Sequence, residues 1–239
     1  MLVHGAQPQK TQENEVIGML RYYHYRKLSP AGQAAYKIIV LSLKKFSSCA
    51  VIDSVENLQT VLEAAKNDNP HLFFVNWYDL KYRVEFQGLK TVVHFSYLMG
   101  RPEALELWQR AKQIAPALRG STDKQTIRNV HDYLAARVHY DHNGTKGKNF
   151  RLRDHTMAGA LFDDLAVCEG IARAAQFLLR ELRVECTYQC GYLKEARGYH
   201  AWNLVSIDGQ VLKMDVTWDL AASNGGRLSH RYFCTNLAR

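Results

Sequence analysis

At positions 167–172 the chain reads Val167-Cys168-Glu169-Gly170-Ile171-Ala172. Apolar residues recur at helical spacing from residue 168 to residue 183, which predicts a helix that begins at or just before Cys168. The unpaired backbone N–H groups and the positive dipole end of a helix start favour a thiolate. Cys168 is therefore a candidate nucleophile, although many free cysteines are simply small buried apolar residues. The apolar positions of this helix are Ile171, Ala174, Ala175, Leu178 and Leu182.

A second informative feature is a predicted β-hairpin whose two-residue turn is Asp208-Gly209. If Ile207 pairs with Gln210, then residues 201–207 and 210–218 form two strands, and His200 and Asp215 are diagonal neighbours on one face. Such neighbours lie roughly 7–8 Å apart at the backbone, within reach of long side chains. A histidine base oriented by an aspartate fits this placement, and a purely structural His–Asp hydrogen bond fits it equally. The opposite face carries the apolar residues Ala201, Val205, Ile207, Leu212, Met214 and Val216.

Three segments together resemble the core of the transglutaminase-like superfamily, and specifically its bacterial branch. They are Val167-Cys168-Glu169-Gly170, His200-Ala201-Trp202-Asn203 and Asp215-Val216-Thr217-Trp218-Asp219, in the order that the family shows. The resemblance covers residues 155–219, with a weaker match at residues 137–141.

This resemblance implies a fold class and a set of catalytic residues. The fold is α+β: a papain-like core in which the nucleophile helix packs against an antiparallel sheet. By position, Cys168 matches the nucleophile, His200 the base and Asp215 the residue that orients His200. All three are present, which favours an enzyme over a non-catalytic module that binds proteins or peptides on the same fold.

The implied reaction is acyl transfer through a thioester on Cys168, with a peptide or glutamine-type amide of a protein or peptide as substrate. We expect hydrolysis, as in a peptidase or amidase, because water needs no second binding site; a transglutaminase or a protein glutamine deamidase is the alternative. The backbone N–H of Cys168 is one oxyanion donor, and Tyr140, Asn143 and Asn149 are candidates for the second. We expect Trp202, Trp218 and Tyr140 to line the substrate site. The sequence predicts no cofactor and no metal.

Composition places few other bounds on the function. The 239 residues are 47% hydrophobic and 23% charged, as in an ordinary globular protein, and the net charge of +8 is spread along the chain. This spread does not favour a nucleic-acid domain. No apolar run reaches the ~20 residues of a membrane span, and the first residues do not resemble a secretory signal, so we expect a cytoplasmic protein. Cys186 and Cys190 would lie roughly 13 Å apart on one strand, too far for one zinc ion.

Along the chain, we predict a non-catalytic, mainly helical region with a β-hairpin over residues 1–118 and the catalytic domain over residues 119–239. Ser29-Pro30 starts one helix, and Asp53 with Glu56 resembles a capping box for the next. Runs at residues 78–86 and 90–97 form the predicted hairpin, and Ser121 or Thr122 caps a helix that ends near residue 137.

Overall fold

A computed structural model describes residues 20–144, 150–196, 198–223 and 227–237 of the chain. The helices are α1 (Tyr23–Arg26), α2 (Pro30–Lys44), α3 (Leu58–Asp68), α4 (Arg101–Ile114), α5 (Asp123–Arg137), α6 (Met157–Phe162), α7 (Cys168–Glu181) and α8 (Val216–Ala222). The strands are β1 (Cys49–Asp53), β2 (Lys81–Glu85), β3 (Lys90–His94), β4 (His139–Tyr140), β5 (Leu165–Ala166), β6 (Cys186–Leu193), β7 (Gly198–Ile207) and β8 (Gln210–Met214).

The first half of the chain combines helices with a small antiparallel sheet of order β1-β3-β2. The start of α2 is as predicted, since Ser29 Oγ accepts the backbone N–H of Gly32 and proline follows at the first helical position. The predicted capping box at Asp53 is wrong: Asp53 ends strand β1, and Asn57 caps α3 by accepting the N–H of Thr60. The hairpin of β2 and β3 forms as predicted, and β1 adds a strand that the sequence pattern did not indicate.

The second half places α7 against an antiparallel sheet of order β6-β7-β8. The β7–β8 register is the predicted one, with Ile207 opposite Gln210 and Asn203 opposite Met214. Asp208 and Gly209 both have positive φ, 51° and 78°, as a tight two-residue hairpin turn requires.

One prediction about this hairpin is wrong. The second strand does not continue to Trp218; β8 ends at Met214, and residues Val216–Ala222 form helix α8 instead. The physical reason is Asp215, whose Oδ1 accepts the backbone N–H of Trp218 at 3.1 Å and so caps the helix. This cap outweighs the β preference of Val216 and Thr217.

The largest cluster of buried apolar side chains among the described residues draws on both halves of the chain and includes α7. It includes Leu43 and Leu72 from the first half of the chain and Leu134 and Leu178 from the second. Asn203 fixes the sheet to α7 by donating from Nδ2 to the carbonyl oxygen of Ala172 at 2.9 Å. The predicted α+β class, with the helix that begins at Cys168 packed on an antiparallel sheet, is confirmed.

Within the described part of the chain, no helix has both the length and the apolar character that a membrane crossing requires.

Candidate active site

Cys168 is the first residue of α7, directly after the N-cap Val167. Its half-buried side chain packs against Ala172, Tyr188 and Ala201, at the end of the interface between the helix and the sheet. The helix start lies very close to the backbone of residues 154–156. A Cβ at Gly170 would meet the carbonyl oxygens of this segment at 2.3 and 2.9 Å, so position 170 requires glycine.

His200 lies on β7 opposite Gly191 and is 5% exposed. Its imidazole ring stacks on Trp218, with centroids 5.0 Å apart and an interplanar angle of 17°. Trp202 also lies close to the imidazole, with centroids 6.2 Å apart and an interplanar angle of 23°. The two indole rings therefore restrict the orientation of the imidazole and limit its contact with water. Both tryptophans were predicted to line the substrate site; the structure brings both to His200.

Asp215 joins β8 to α8 and is fully buried. Its Oδ2 lies 2.8 Å from His200 Nε2, while its Oδ1 caps α8. The backbone N–H of Asp215 also donates to the carbonyl oxygen of Tyr232 at 3.1 Å. The two side chains that the sequence placed on one face are thus in direct contact, although Asp215 reaches His200 from a helix cap and not from a continuing strand.

The titration of His200 links the three residues. Burial alone would lower the pKa of His200, but hydrogen bonds to Asp215 and to the thiol of Cys168, together with their negative charges, raise it to about 9. Because Nε2 is occupied by Asp215, the ring nitrogen that remains for the thiol is Nδ1. The arrangement favours a positively charged imidazole next to Cys168.

Tyr140 is held beside Cys168 by the parallel pair β4 and β5, in which Tyr140 is opposite Ala166. Burial, together with the charge and hydrogen bonding of the Cys168 thiol, raises the pKa of Tyr140 to about 12. A hydrogen bond from the backbone N–H of Cys168 opposes this rise. The phenol oxygen therefore lies next to both the thiol and the first backbone N–H of α7. Asn143, another candidate, is exposed on the surface, and Asn149 lies outside the described residues.

Lys213 is a residue of this site that the sequence analysis missed. It is 8% exposed, and its Nζ lies 4.7 Å from the ring centroids of both Trp202 and Trp218 and 3.8 Å from Asp215 Oδ2. The predicted strand register already put position 213 on the face of His200, so alternation along β8 could have indicated it.

Glu169, next to the candidate nucleophile, was also missed as a site residue. Its Oε1 pairs with Lys66 Nζ at 2.7 Å and Arg173 Nη2 at 3.0 Å. Its Oε2 accepts the hydroxyl of Tyr78 at 2.8 Å and lies 3.1 Å from His155 Nδ1. Since Lys66 and Tyr78 come from the first half of the chain, this cluster fixes that half to the start of α7.

Comparison with known proteins gives a family match. Residues 112–216 match the model of the transglutaminase-like superfamily. Among solved structures, the chain is similar to a TGase, with 14% identity over 76% of this chain and 52% of that chain, and a TM-score of 0.44. It is also similar to a protein designated as a candidate cysteine protease from Cytophaga hutchinsonii, with 15% identity, 58% and 61% coverage, and a TM-score of 0.37. The chain thus spans less than two thirds of the length of either structure. No curated protein matches the chain.

Proposed function

Because residues 112–216 match the model of the transglutaminase-like superfamily, we propose that this chain is a cysteine-dependent acyl-transfer enzyme with Cys168 as nucleophile. His200 is the base and Asp215 orients it. The observation that carries the proposal is the contact chain in which Asp215 binds one nitrogen of His200 and the Cys168 thiol interacts with the same ring.

In the proposed reaction, the proton of the Cys168 thiol resides on His200 Nδ1, as the raised pKa of the imidazole favours, and the thiolate attacks the carbonyl carbon of an amide. The charged imidazole then gives its proton to the leaving amine as the C–N bond breaks, which leaves a thioester on Cys168. Water, deprotonated by His200, attacks the thioester; the C–S bond breaks, a carboxylic acid leaves, and the thiolate is restored beside the charged imidazole. Asp215 holds Nε2–H throughout and stabilises the positive imidazole.

The oxyanion of the tetrahedral intermediate needs donors that are already in place. We assign this role to the backbone N–H of Cys168 and the hydroxyl of Tyr140. The support is the position of the phenol oxygen, which interacts with both the N–H and the thiol of Cys168. We further assign Trp202 and Trp218 to the wall of the substrate site, since both flank the imidazole of His200.

We propose hydrolysis as the fate of the thioester, with a protein or peptide as substrate. A transglutaminase and a deamidase would both form the thioester from the side chain of glutamine with loss of ammonia; an amine then attacks it in the transglutaminase and water in the deamidase. All three activities pass through an acyl-enzyme, and the peptidase differs from the other two in what is attached to the sulfur.

Trapping the acyl-enzyme tests the proposal. The protein is incubated with a peptide library, quenched with acid and digested, and the mass added to the peptide containing Cys168 is measured. A peptide that ends at its own cleaved carbonyl supports a peptidase. Attachment through a glutamine side chain supports a deamidase or transglutaminase instead.

Two variants serve as controls for this experiment. Cys168→Ala removes the nucleophile and must abolish the adduct, whereas Cys49→Ala removes a partly exposed thiol on β1, in the other sheet, and must leave it unchanged. If no adduct forms at Cys168 with any peptide, the non-catalytic binding module becomes the better account.

A further inference from the structure

A second cluster of metal-ligating side chains connects α5 to the segment 227–237. His131 and Asp132 are consecutive on α5, and His230 comes from the segment. Asp132 Oδ1 lies 2.8 Å from His131 Nδ1 and 2.6 Å from His230 Nε2, and one ligand atom of each residue lies within 4.8 Å of the others. We propose that His131, Asp132 and His230 form a binding site for a divalent transition-metal ion, with zinc as the best match.

The surroundings of His131 support this assignment. The ring is fully buried, and its second nitrogen, Nε2, lies 3.1 Å from Oδ2 of the buried Asp219. A histidine that binds a metal almost always donates its other N–H to a carboxylate or carbonyl, which fixes the ring and directs the free nitrogen to the ion. Asp219 is itself fixed, because it accepts hydrogen bonds from Ser229 Oγ at 2.7 Å and from the backbone N–H of Tyr232.

The donor set and its exposure suit zinc. Two imidazole nitrogens and one carboxylate oxygen, with the fourth position left to water, are a known zinc arrangement. Tetrahedral bonds of about 2.0–2.1 Å separate donor atoms by about 3.3 Å, so the present contacts must open by roughly half an ångström. Rotation of Asp132 and His230 can supply this, since their side chains are 34% and 24% exposed, which also admits the water.

Arg128 competes with the ion. Its Nε donates to Asp132 Oδ2 at 3.0 Å, and its Nη2 lies 3.2 Å from His230 Nδ1. Metal binding at His230 Nε2 moves the imidazole proton to Nδ1, where it faces the N–H groups of the guanidinium. The contact with His230 must then break, and the 41% exposed arginine can turn towards solvent. The contact with Asp132 Oδ2 can remain, because the ion binds the other oxygen.

A bound ion would also act on the proposed catalytic residues. The segment that carries His230 pairs with β8 through Lys213 and Thr235, and its Tyr232 carbonyl accepts the backbone N–H of Asp215. Fixing this segment to α5 therefore stabilises the loop against which Asp215 is positioned.

The test uses the Cys168→Ala protein, because Cys168, His200 and Asp215 could themselves bind zinc. Zinc binding is measured by isothermal titration calorimetry, and cobalt(II) binding by its visible absorption spectrum. We expect one ion per chain and a cobalt spectrum without the charge-transfer band of a thiolate ligand. We expect His230→Ala to weaken zinc binding by about 100-fold or more, since even loss of an outer-shell partner costs about 10–100-fold.

Two further variants make the test specific. Arg128→Gln should tighten zinc binding about tenfold, because it removes a cation close to the ion, whereas His94→Ala, a change at an exposed histidine on β3, should have no effect. If His230→Ala without metal unfolds at a lower temperature than the parent protein, Asp132→Asn is used in its place. No zinc binding, zinc binding that His230→Ala or Asp132→Asn leaves unchanged, or a thiolate band in the cobalt spectrum would overturn the proposal.

Discussion

Replacing Asp215 by asparagine separates its two roles with a change of only one atom. In the native chain Oδ1 accepts the N–H of Trp218 and Oδ2 accepts from His200 Nε2, so both oxygens act as acceptors. Asparagine offers one carbonyl oxygen and is an equally good helix cap. If that oxygen still accepts the N–H of Trp218, the NH₂ group faces His200 Nε2. Two donors cannot share one hydrogen bond, so Nε2 must then lose its proton. The neutral ring carries its proton on Nδ1, on the side of Cys168, where a base is required.

The structure gives the size of this effect. The pKa of His200 is about 9, against an ordinary value of 6.5, which corresponds to about 3 kcal/mol in favour of the charged ring. Burial opposes this rise, so the ring depends on Asp215 and Cys168 for it. Removing a negative charge at hydrogen-bond distance typically shifts a pKa by about 1–3 units. We expect the pKa of His200 in Asp215→Asn to fall by this amount.

The measurement is an NMR titration of the imidazole resonances, with those of His200 identified by their loss in His200→Gln. Asp208→Asn, the same chemical change at the exposed hairpin turn, is the matched control and should leave the pKa unchanged. A pKa of His200 that stays near its native value in Asp215→Asn would refute the reasoning.

Four other outcomes follow from the same contacts. Because folding raises the pKa of His200, the charged imidazole contributes its full stabilisation below pH 6.5 and loses it as the pH rises to about 9. The free energy of unfolding in urea should show this decline in the native chain and not in His200→Ala. Gly170→Ala should lower the free energy of unfolding by about 1–3 kcal/mol and slow the alkylation of Cys168, because the added Cβ meets backbone oxygens. Gly198→Ala, where the nearest atom to an added Cβ is 3.9 Å away, should change neither quantity. Tyr140→Phe should slow acylation by about 10²–10³ if the hydroxyl is an oxyanion donor; an unchanged single-turnover rate argues against that role. Glu169→Gln removes the negative charge that pairs with Lys66 and Arg173 and should lower the free energy of unfolding by about 3–5 kcal/mol, as measured in urea; a loss below 1 kcal/mol would contradict this.

The parts of the fold that local rules determine could be predicted. The start of α7 at Cys168 followed from helical spacing, and the register of β7 and β8 followed from a turn whose two residues both need positive φ. The family resemblance rested on three short motifs and is confirmed for residues 112–216. The end of β8 was predicted wrongly, because the β-forming residues after Asp215 concealed a helix cap.

Features that depend on contacts distant in sequence could not be predicted. Strand β1 is only five residues long and is defined by its pairing with β3, about forty positions later. The partners of Glu169 include Lys66 and Tyr78, which no local sequence pattern relates to α7. The division of the chain at residue 118 stays a prediction, although side chains from both sides share one core.

The most direct test of the account compares two thiols within one molecule. Iodoacetamide is added near neutral pH, and the alkylation rates of Cys168 and Cys190 are read from the same digest by mass spectrometry. Cys190 is the more exposed of the two, so accessibility alone would make it react faster. If His200 activates the nucleophile, Cys168 reacts faster in the native chain and loses that advantage in His200→Ala. A Cys168 that reacts no faster than Cys190, or that is unaffected by His200→Ala, would contradict the account.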